Sequence, residues 1–258
     1  MKIAIVTPSF NQGAFIAEAI ESVLAQNYTD VEHIIVDNCS TDETSKVLER
    51  YPHLKVICEK DQGQSDALNK GFKAATGDII GWLNADDKYL PGCFDRIIET
   101  LKGHPEFDLA YGDYRFIDIK GDLIRVRKEL GVDRLMLKYV LYIPTTTMFF
   151  RRKIFDQGHF LDINYHYAMD YEFYLRLSGH GYRFGHIPRL MADFRWHQDC
   201  KSNCHPARQY EEMKKALVMH DKLIGGLNEP QRSWALKLFM LMARAKRCFL
   251  KLCRGAYW

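Results

Sequence analysis

The sequence predicts an α/β fold, with a mostly parallel β-sheet in the body and a helical extension at the C-terminus. Three observations lead to this expectation. Short β-rich apolar runs alternate with segments of helical period through the first hundred residues. Three of these runs end directly in clusters of polar residues. From about residue 206 onward the apolar pattern is wholly helical.

The first hundred residues contain four predicted strands, at 2–7, 31–36, 55–58 and 79–83. Helical patterns lie between them, at 14–26, about 41–51 and 66–75. In the first helix the apolar side chains recur every three or four residues, and Ser40 to Asp42 supply capping residues for the second. A helix between successive strands predicts that neighbouring strands run parallel.

The middle of the chain, 109–150, is more irregular, with strands expected near 114–119 and 147–151. A short helix follows at 170–178, and the glycines at 179 and 181 end it. The run at 187–195 predicts a last strand. Two helical segments separated by 225–230 then complete the chain.

Polar side chains follow the predicted strands at 7–11, 37–38 and 84–87. The carboxyl ends of parallel strands meet at one edge of a sheet, where α/β proteins bind their ligands. The sequence therefore predicts a binding site at this edge. A dinucleotide site of the dehydrogenase type is excluded, because the turn at 7–13 contains one glycine instead of G-x-G-x-x-G. The sequence also contains no G-x-x-x-x-G-K-[ST] phosphate-binding loop.

Asp86 and Asp87 are adjacent carboxylates at the end of the fourth strand. Two carboxylate side chains are too few to complete the coordination of a divalent metal ion by protein ligands alone. They suit Mg²⁺ or Mn²⁺ that also binds substrate phosphates. A turn is the alternative, since Asn and Asp favour turns and Asp86 is able to cap a following helix.

Three segments together resemble a family-2 glycosyltransferase. They are Thr-Pro-Ser-Phe-Asn-Gln at 7–12, Ile-Ile-Val-Asp-Asn-Cys-Ser-Thr-Asp at 34–42 and Trp-Leu-Asn-Ala-Asp-Asp at 82–87. The likeness covers roughly 2–202, and the motifs occur in the family's order. It implies a GT-A fold, whose mostly parallel, Rossmann-like sheet binds nucleotides, and transfer from a nucleotide-sugar donor with inversion of the anomeric configuration.

The resemblance implies roles for several residues at the donor. Pro8 and Asn11 would line the nucleoside pocket, and Asp37 would accept a hydrogen bond from the base. Asp66 would lie on the same pocket. Asp86 would contact the donor ribose or sugar.

The resemblance also implies a metal, Mn²⁺ or Mg²⁺, with Asp87 as a ligand. The family's metal motif often reads Asp-x-Asp, whereas its first position here is Asn84. In the segment 195–202, which resembles the family's closing segment over the donor, His197 would be a metal or diphosphate ligand. Arg195 and Lys201 would be the cations that contact the donor phosphates.

The segment 167–177 resembles the family's Glu-Asp-x-x-x-x-x-Arg-Leu signature and places the catalytic base at Asp170, with Met169 in place of Glu. Asp170 would also suit a helix N-cap. Glu172 is the rival base, but two residues on it would point about 200° around the helix from Asp170. The segment 144–147 matches a strand near the acceptor, although its threonines are also ordinary strand formers.

The net charge of +3 over 258 residues is unevenly distributed. Residues 1–206 contain 25 Lys and Arg against 29 Asp and Glu, whereas residues 207–258 contain 11 against 4. We therefore expect a catalytic domain at 1–205 and a basic amphipathic helical tail at 206–258. Such a tail favours contact with an anionic membrane surface through 232–258, and packing on the body is the alternative. No nucleic-acid partner is expected, because no reading module is recognisable.

The composition, 47% hydrophobic and 27% charged, excludes global disorder. An odd number of cysteines, seven, and no recognisable export signal lead us to expect reduced thiols in a cytoplasmic protein, at the inner face of the membrane if the tail binds lipid. The expected activity is transfer from a nucleotide-sugar, UDP-sugar favoured, to a saccharide or lipid-linked acceptor in cell-surface polysaccharide or glycolipid synthesis. The alternatives are a sugar-phosphate nucleotidylyltransferase and a non-catalytic, membrane-surface carbohydrate-binding module.

Overall fold

The computed structural model describes residues 1–198, 200 and 204–254. Its strands are β1 Ile3–Ser9, β2 Val31–Asp37, β3 Lys55–Cys58, β4 Ile79–Trp82, β5 Lys88–Tyr89, β6 Leu109–Ile117, β7 Leu123–Arg127, β8 Phe149–Arg151 and β9 Phe184–Arg195. Its α-helices are α1 Ile16–Leu24, α2 Thr44–Leu48, α3 Gln64–Ala74, α4 Cys93–Gly103, α5 Arg134–Tyr139, α6 Lys153–Asp156, α7 Met169–Gly179, α8 Pro206–His220, α9 Lys222–Gly225 and α10 Glu229–Cys253. A 3₁₀ turn covers Thr145–Thr147.

All nine strands form one mixed sheet in the order β3-β2-β1-β4-β8-β6-β9-β5, and β7 pairs with β6 outside this path. The first four strands pair in parallel, as the helical crossovers predict. β8 then runs antiparallel between β4 and β6, and β6 pairs with β9 in parallel. The α/β fold is therefore confirmed. Each antiparallel pairing in the described sheet involves β5, β7 or β8.

β1, β4 and most of β2 are buried on both faces, which explains why these strands are continuous apolar runs, whereas β3 is an exposed edge strand. Helix α3 packs directly against β1. A Cβ atom at Gly71 would overlap Cγ1 of Val6, so the glycine lets the helix approach the strand. This close packing fixes the loop before α3 beside the carboxyl end of β1.

The helices after residue 206 share the core of the body. Leu217, Ile224 and Leu236 belong to the same buried cluster as Tyr111 and Phe150 of the sheet. Helix α10 lies against α5, and the rings of Tyr139 and Phe239 stack with 5.2 Å between centroids. The tail therefore packs on the body across the predicted boundary at residue 206. In the described part of the chain, no helix has both the length and the apolar character needed to cross a bilayer.

Three cations of α10 pair with carboxylates of the body. Lys246 lies 2.6 Å from Asp133, and Arg247 and Lys251 lie 2.6 and 3.3 Å from Glu129, whose side chain is fully buried. A buried carboxylate between two cations requires them to remain in place, since an unpaired buried charge is costly. One face of α10 is thus fixed to the segment that follows β7.

Candidate active site

A cavity of about 650 Å³ opens at the carboxyl ends of β1 and β4. The turn after β1, the loop after β2 and the residues after β4 all contribute to its wall, so the three polar strand ends meet at one site. Further parts of the wall come from β6, β7, the end of β9 and the segment after it. The start of α3 with the loop before it, the segment 141–145, the start of α7 with the residues before it, and α8 complete the described lining.

The turn after β1 forms one end of the cavity, with Pro8, Ser9, Phe10 and Gln12 in the wall. Ser9 Oγ and Gln12 Oε1 are buried and have no hydrogen-bond partner among the described residues. Buried polar atoms are almost always paired, so two unpaired ones in a cavity wall are available to a polar ligand.

Asn11 and Asp37 lie beside the cavity and organise the loop after β2. Asn11, at φ 54°, accepts the backbone N–H of Thr41 at 2.9 Å. Asp37 is buried and accepts the N–H and the hydroxyl of Ser40 at 2.7 and 2.6 Å. The loop residue that lines the cavity is Asn38, which the sequence analysis placed at a polar strand end without giving it a role.

Asp66 lies in the first turn of α3 and also faces away from the cavity wall. It accepts the N–H of Gln62 at 3.1 Å and lies 3.6 Å from Nζ of Lys70. Its neighbours Gln64 and Ala67 line the cavity instead. Asp66 therefore stabilises the loop that carries the wall residues.

Asn84 replaces the first carboxylate of the metal motif and connects three segments. Its Oδ1 accepts Trp82 Nε1–H at 2.8 Å and Gln64 Nε2–H at 2.9 Å. Its Nδ2 donates to Asp87 at 3.0 Å. A carboxylate at this position would lack the donor for Asp87, so the amide suits this arrangement.

Asp87 lies behind the cavity wall, with 1% of its surface exposed. Its carboxylate accepts the hydroxyl of Thr146 at 2.6 Å and the backbone N–H of Arg195 at 2.9 Å. Burial and the neighbouring Asp86 charge raise the pKa of Asp87 to about 8. The carboxylate of Asp87 thus joins β4, the 3₁₀ turn and β9, and it does not line the cavity.

Asp86, predicted to contact the donor, and His197, predicted as a metal or diphosphate ligand, lie together inside the cavity. Asp86 Oδ2 and His197 Nε2 are 3.0 Å apart, and both residues line the wall. A carboxylate oxygen beside an imidazole nitrogen fits a divalent cation that takes its other ligands from a diphosphate and water. The described residues contain no group of three or more His, Cys, Asp or Glu arranged to hold a metal ion.

Arg195 is almost fully buried behind the site, at 1% exposure. Its guanidinium donates to the backbone carbonyls of Asp86, Asp118 and Ile119, and it pairs with Glu18 at 2.8 Å. These contacts place Arg195 behind the cavity wall and not in it, where a phosphate contact was expected. Lys201, the other expected cation, lies outside the described residues.

Asp170 lines the cavity from the first turn of α7. The N-cap position belongs to Ala168, and Glu212 of α8 accepts the exposed N–H groups of His166, Tyr167 and Ala168 at 2.7–3.0 Å. Asp170 therefore does not occupy the N-cap position, and its carboxylate accepts the backbone N–H of Tyr171 within the first turn. Burial raises the pKa of Asp170 to about 6, close to the value suited to a general base near neutral pH.

Glu172 lies on another side of α7, as its position on the helix predicts. It is 1% exposed, and its Oε1 lies 2.7 Å from Arg176 Nε and 2.8 Å from His220 Nε2. Glu172 therefore ties α7 to α8 and does not line the cavity.

The wall formed by β6, β7 and β9 carries residues that the sequence patterns did not single out. They are Tyr114, Phe116, Arg125, Arg127, Phe194 and Trp196. The only signal for them was the repeated spacing of two along strands, which places alternate side chains on one face. Of the threonines at 145–147, Thr145 lines the cavity, whereas Thr147 donates to the carbonyl of Gly112 at 3.0 Å.

The chain is similar to known glycosyltransferases in sequence. It is 40% identical to an uncharacterised glycosyltransferase of Nostoc sp. over 176 residues, which are 61% of this chain and 53% of that protein. It is 30% identical to a PGL/p-HBAD biosynthesis glycosyltransferase of Mycobacterium bovis, with 67% of this chain and 68% of that protein covered. The chain thus spans about half the length of the Nostoc relative.

Two solved structures share the fold. S. aureus TarS 1-349 in complex with UDP-GlcNAc has a TM-score of 0.68 at 18% identity, covering 93% of this chain and 72% of that one. The mannosyltransferase PcManGT from Pyrobaculum calidifontis, in complex with GDP-Man and Mn²⁺, has a TM-score of 0.60 at 15% identity, covering 97% and 88%. The expected GT-A fold is thereby confirmed. The family model described as glycosyl transferase family 2 matches residues 4–169, so the chain belongs to this family.

Proposed function

We propose that this chain transfers a sugar from a nucleotide-sugar, with UDP-sugars favoured, to an acceptor hydroxyl with inversion at the anomeric carbon. The observation that carries the proposal is one cavity that contains the Pro8 turn, the Asp86 and His197 pair and the carboxylate of Asp170. TarS, one of the structural neighbours, has been solved with UDP-GlcNAc, which favours a uridine donor.

In this mechanism the acceptor oxygen forms a bond to the anomeric carbon while the bond from that carbon to the phosphate oxygen breaks. The nucleoside diphosphate leaves with the bonding electron pair, and Asp170 takes the proton of the acceptor hydroxyl. Ser9, Gln12 and Asn38 hold the nucleoside at the other end of the cavity. Asp37 and Asn11 act indirectly, by fixing the loop that carries Asn38.

We propose Asp86 and His197 as the residues that hold Mn²⁺ or Mg²⁺. A bound divalent cation would neutralise charge on the diphosphate leaving group. PcManGT, the other neighbour, has been solved with Mn²⁺, which favours metal use in this chain. Asp87, buried behind the pair, supports the position of Asp86 through the β4 end and β9.

A panel of nucleotide sugars tests the donor assignment. With Mn²⁺ and a UDP-sugar at about 100 times its Kd, we expect the melting temperature to rise by about 5 °C, since ligand binding at that excess contributes about 2.7 kcal/mol. We also expect slow release of UDP when no acceptor is present, which a non-catalytic binding module would not give. Formation of pyrophosphate from UTP and a sugar 1-phosphate would instead identify a nucleotidylyltransferase.

We propose that the enzyme works at an anionic membrane surface, on an acceptor for cell-surface polysaccharide or glycolipid. Helix α10 packs on the body through one face and exposes apolar side chains on the other. These side chains are Trp234, Leu238, Leu241, Met242, Phe249 and Leu252. Their spacing places them in one stripe along the helix, and the exposed cations Lys237 and Arg244 lie next to it. An apolar stripe beside cations fits lipid with anionic headgroups.

Replacing Trp234, Leu241 and Phe249 with serine should abolish flotation of the full chain with phosphatidylglycerol vesicles. These three side chains are 65–68% exposed, so the change leaves the packed face of α10 intact. Their loss from the lipid interface should weaken partitioning about 100-fold. The matched control replaces Leu24, Val56 and Ile163, which are also exposed, and should float normally. If the α10 variant floats as well as the unmodified chain, the membrane contact is wrong.

A further inference from the structure

Two arginines of β7 line the cavity without a carboxylate partner. Arg125 and Arg127 make no ion pair or side-chain hydrogen bond with the described residues. The buried Nε of Arg127 has no hydrogen-bond acceptor in the same part of the chain. Both guanidinium groups lie on the ring of Phe116, so the two like charges are close together, and burial and the charge of Arg127 lower the pKa of Arg125. Two adjacent cations without a counterion favour binding of an anion.

Phe116 fixes the two guanidinium groups against the wall. Its ring centroid lies 4.3 Å from Cζ of Arg125 and 5.8 Å from Cζ of Arg127. Arginine stacks well on aromatic faces and keeps its N–H donors free at the edge of the group. The stacking therefore pre-orients donors that are able to bind an oxyanion in a bidentate manner.

An aromatic surface adjoins the two arginines. Phe116 lies 5.3 Å from Phe194 and 5.5 Å from Trp196, measured between ring centroids, and all three line the cavity. Phe194 and Trp196 are half-buried, so part of each ring remains accessible. A ligand with an anionic group and an adjoining apolar or sugar face would match both parts of this wall.

The position in the sheet separates this wall from the nucleoside end. β6 and β7 are separated from β1 and β2 by β4 and β8 in the strand order. The Asp86 and His197 pair, where the donor diphosphate is proposed to bind, follows β4 and β9. An anion at the two arginines would have ligands different from those proposed for the donor diphosphate.

We propose that Arg125 and Arg127, with the rings of Phe116, Phe194 and Trp196, form an acceptor subsite for a phosphate group attached to a sugar or a lipid. The two positive charges match a phosphate monoester or a diphosphate better than a single carboxylate. This proposal rests on the proposed function, because it assigns the anion to the acceptor. Glu129, two residues after Arg127, holds Arg247 and Lys251 of α10, so the subsite adjoins the helix proposed to contact lipid.

The test measures binding to the full chain of two phosphates and their neutral counterparts, by saturation-transfer NMR titration. The probes are glucose 6-phosphate against glucose, and octyl phosphate against octyl glucoside below micelle concentrations. We expect at least one phosphate to bind about tenfold more tightly than its counterpart. The pair with the larger preference distinguishes a lipid phosphate from a soluble sugar phosphate.

In R125Q/R127Q, the phosphate preference should fall below twofold, while the Kd for UDP stays within twofold. The matched control K102Q/R189Q removes two exposed cations outside the cavity and should keep the preference. A preference that survives in R125Q/R127Q overturns the proposal, and so does an equal loss of UDP binding, which would assign the pair to the donor. If the unmodified chain binds no nucleotide sugar but keeps the phosphate preference, the proposed function fails and the anion site stands.

Discussion

Asp170→Asn is expected to lower kcat/KM for sugar transfer by at least about 1000-fold while leaving the Kd for UDP within twofold. Asparagine keeps the shape of the side chain but is unable to take the proton of the acceptor hydroxyl. Asp170 lines the cavity and is not the N-cap residue, and asparagine keeps an oxygen that accepts the N–H of Tyr171, so the start of α7 should remain intact. Initial rates with a saturating nucleotide-sugar and titration with UDP measure the two quantities.

Glu172→Gln is the control for this variant, because it changes a carboxylate two residues away that does not line the cavity. We expect it to lower the melting temperature, since Glu172 pairs with Arg176 and His220 in a buried position. Its turnover below that temperature should change less than tenfold. A loss of turnover as large as that of Asp170→Asn would assign the base to Glu172.

The pH profile gives a second measure of the same role. Because the pKa of Asp170 is raised to about 6, its active carboxylate form is complete well above that pH. As the pH falls below about 6, protonation should reduce kcat/KM about tenfold per pH unit. A rate that stays constant down to pH 4.5 would contradict a base with this pKa.

β1, β2 and β4 are predictable from sequence because burial on both faces leaves continuous apolar runs with turn residues between them. The second half of the chain is less predictable from its sequence. β7 was not predicted, because Leu123–Arg127 is an exposed edge strand without such a run, and its pairing with β6 is a tertiary contact. β6 and β9 also begin earlier than the sequence patterns indicate, at Leu109 instead of 114 and at Phe184 instead of 187. The first residues of these strands pair with each other and with β8, and such tertiary contacts are not visible in a local pattern.

The site shows the same division between local pattern and tertiary contact. The sequence locates two carboxylates at the end of β4, but the direction of each depends on distant partners. The Asp87 carboxylate accepts hydrogen bonds from Thr146 and the N–H of Arg195 behind the cavity wall. Asp86 contacts His197 inside the cavity. None of these three partners is adjacent to the two carboxylates in sequence. The motif therefore predicts a metal site at the end of β4 with Asp87 as the ligand, whereas the side-chain contacts favour Asp86 for the metal site that we propose.

Asp86→Ala is expected to weaken Mn²⁺-dependent binding of a UDP-sugar by at least about 100-fold, with little change in the melting temperature of the chain alone. Asp86 lies in the cavity wall and its side chain contacts His197, so its removal takes away a charged donor without opening the core. Calorimetric titration with the UDP-sugar, in Mn²⁺ and in EDTA, measures the metal-dependent part of the affinity.

Asp87→Ala provides the comparison that decides between the two carboxylates. Asp87 accepts hydrogen bonds from Thr146, Asn84 and the Arg195 N–H, and truncation leaves these buried donors unpaired. We therefore expect a loss of about 3 kcal/mol in unfolding free energy. The difference between titrations in Mn²⁺ and EDTA should nevertheless persist at temperatures where the variant is folded. If Asp87→Ala abolishes the difference between the titrations in Mn²⁺ and EDTA and Asp86→Ala keeps it, the metal ligand is Asp87, as the motif implies. Asp86 would then line the cavity in a role other than metal binding.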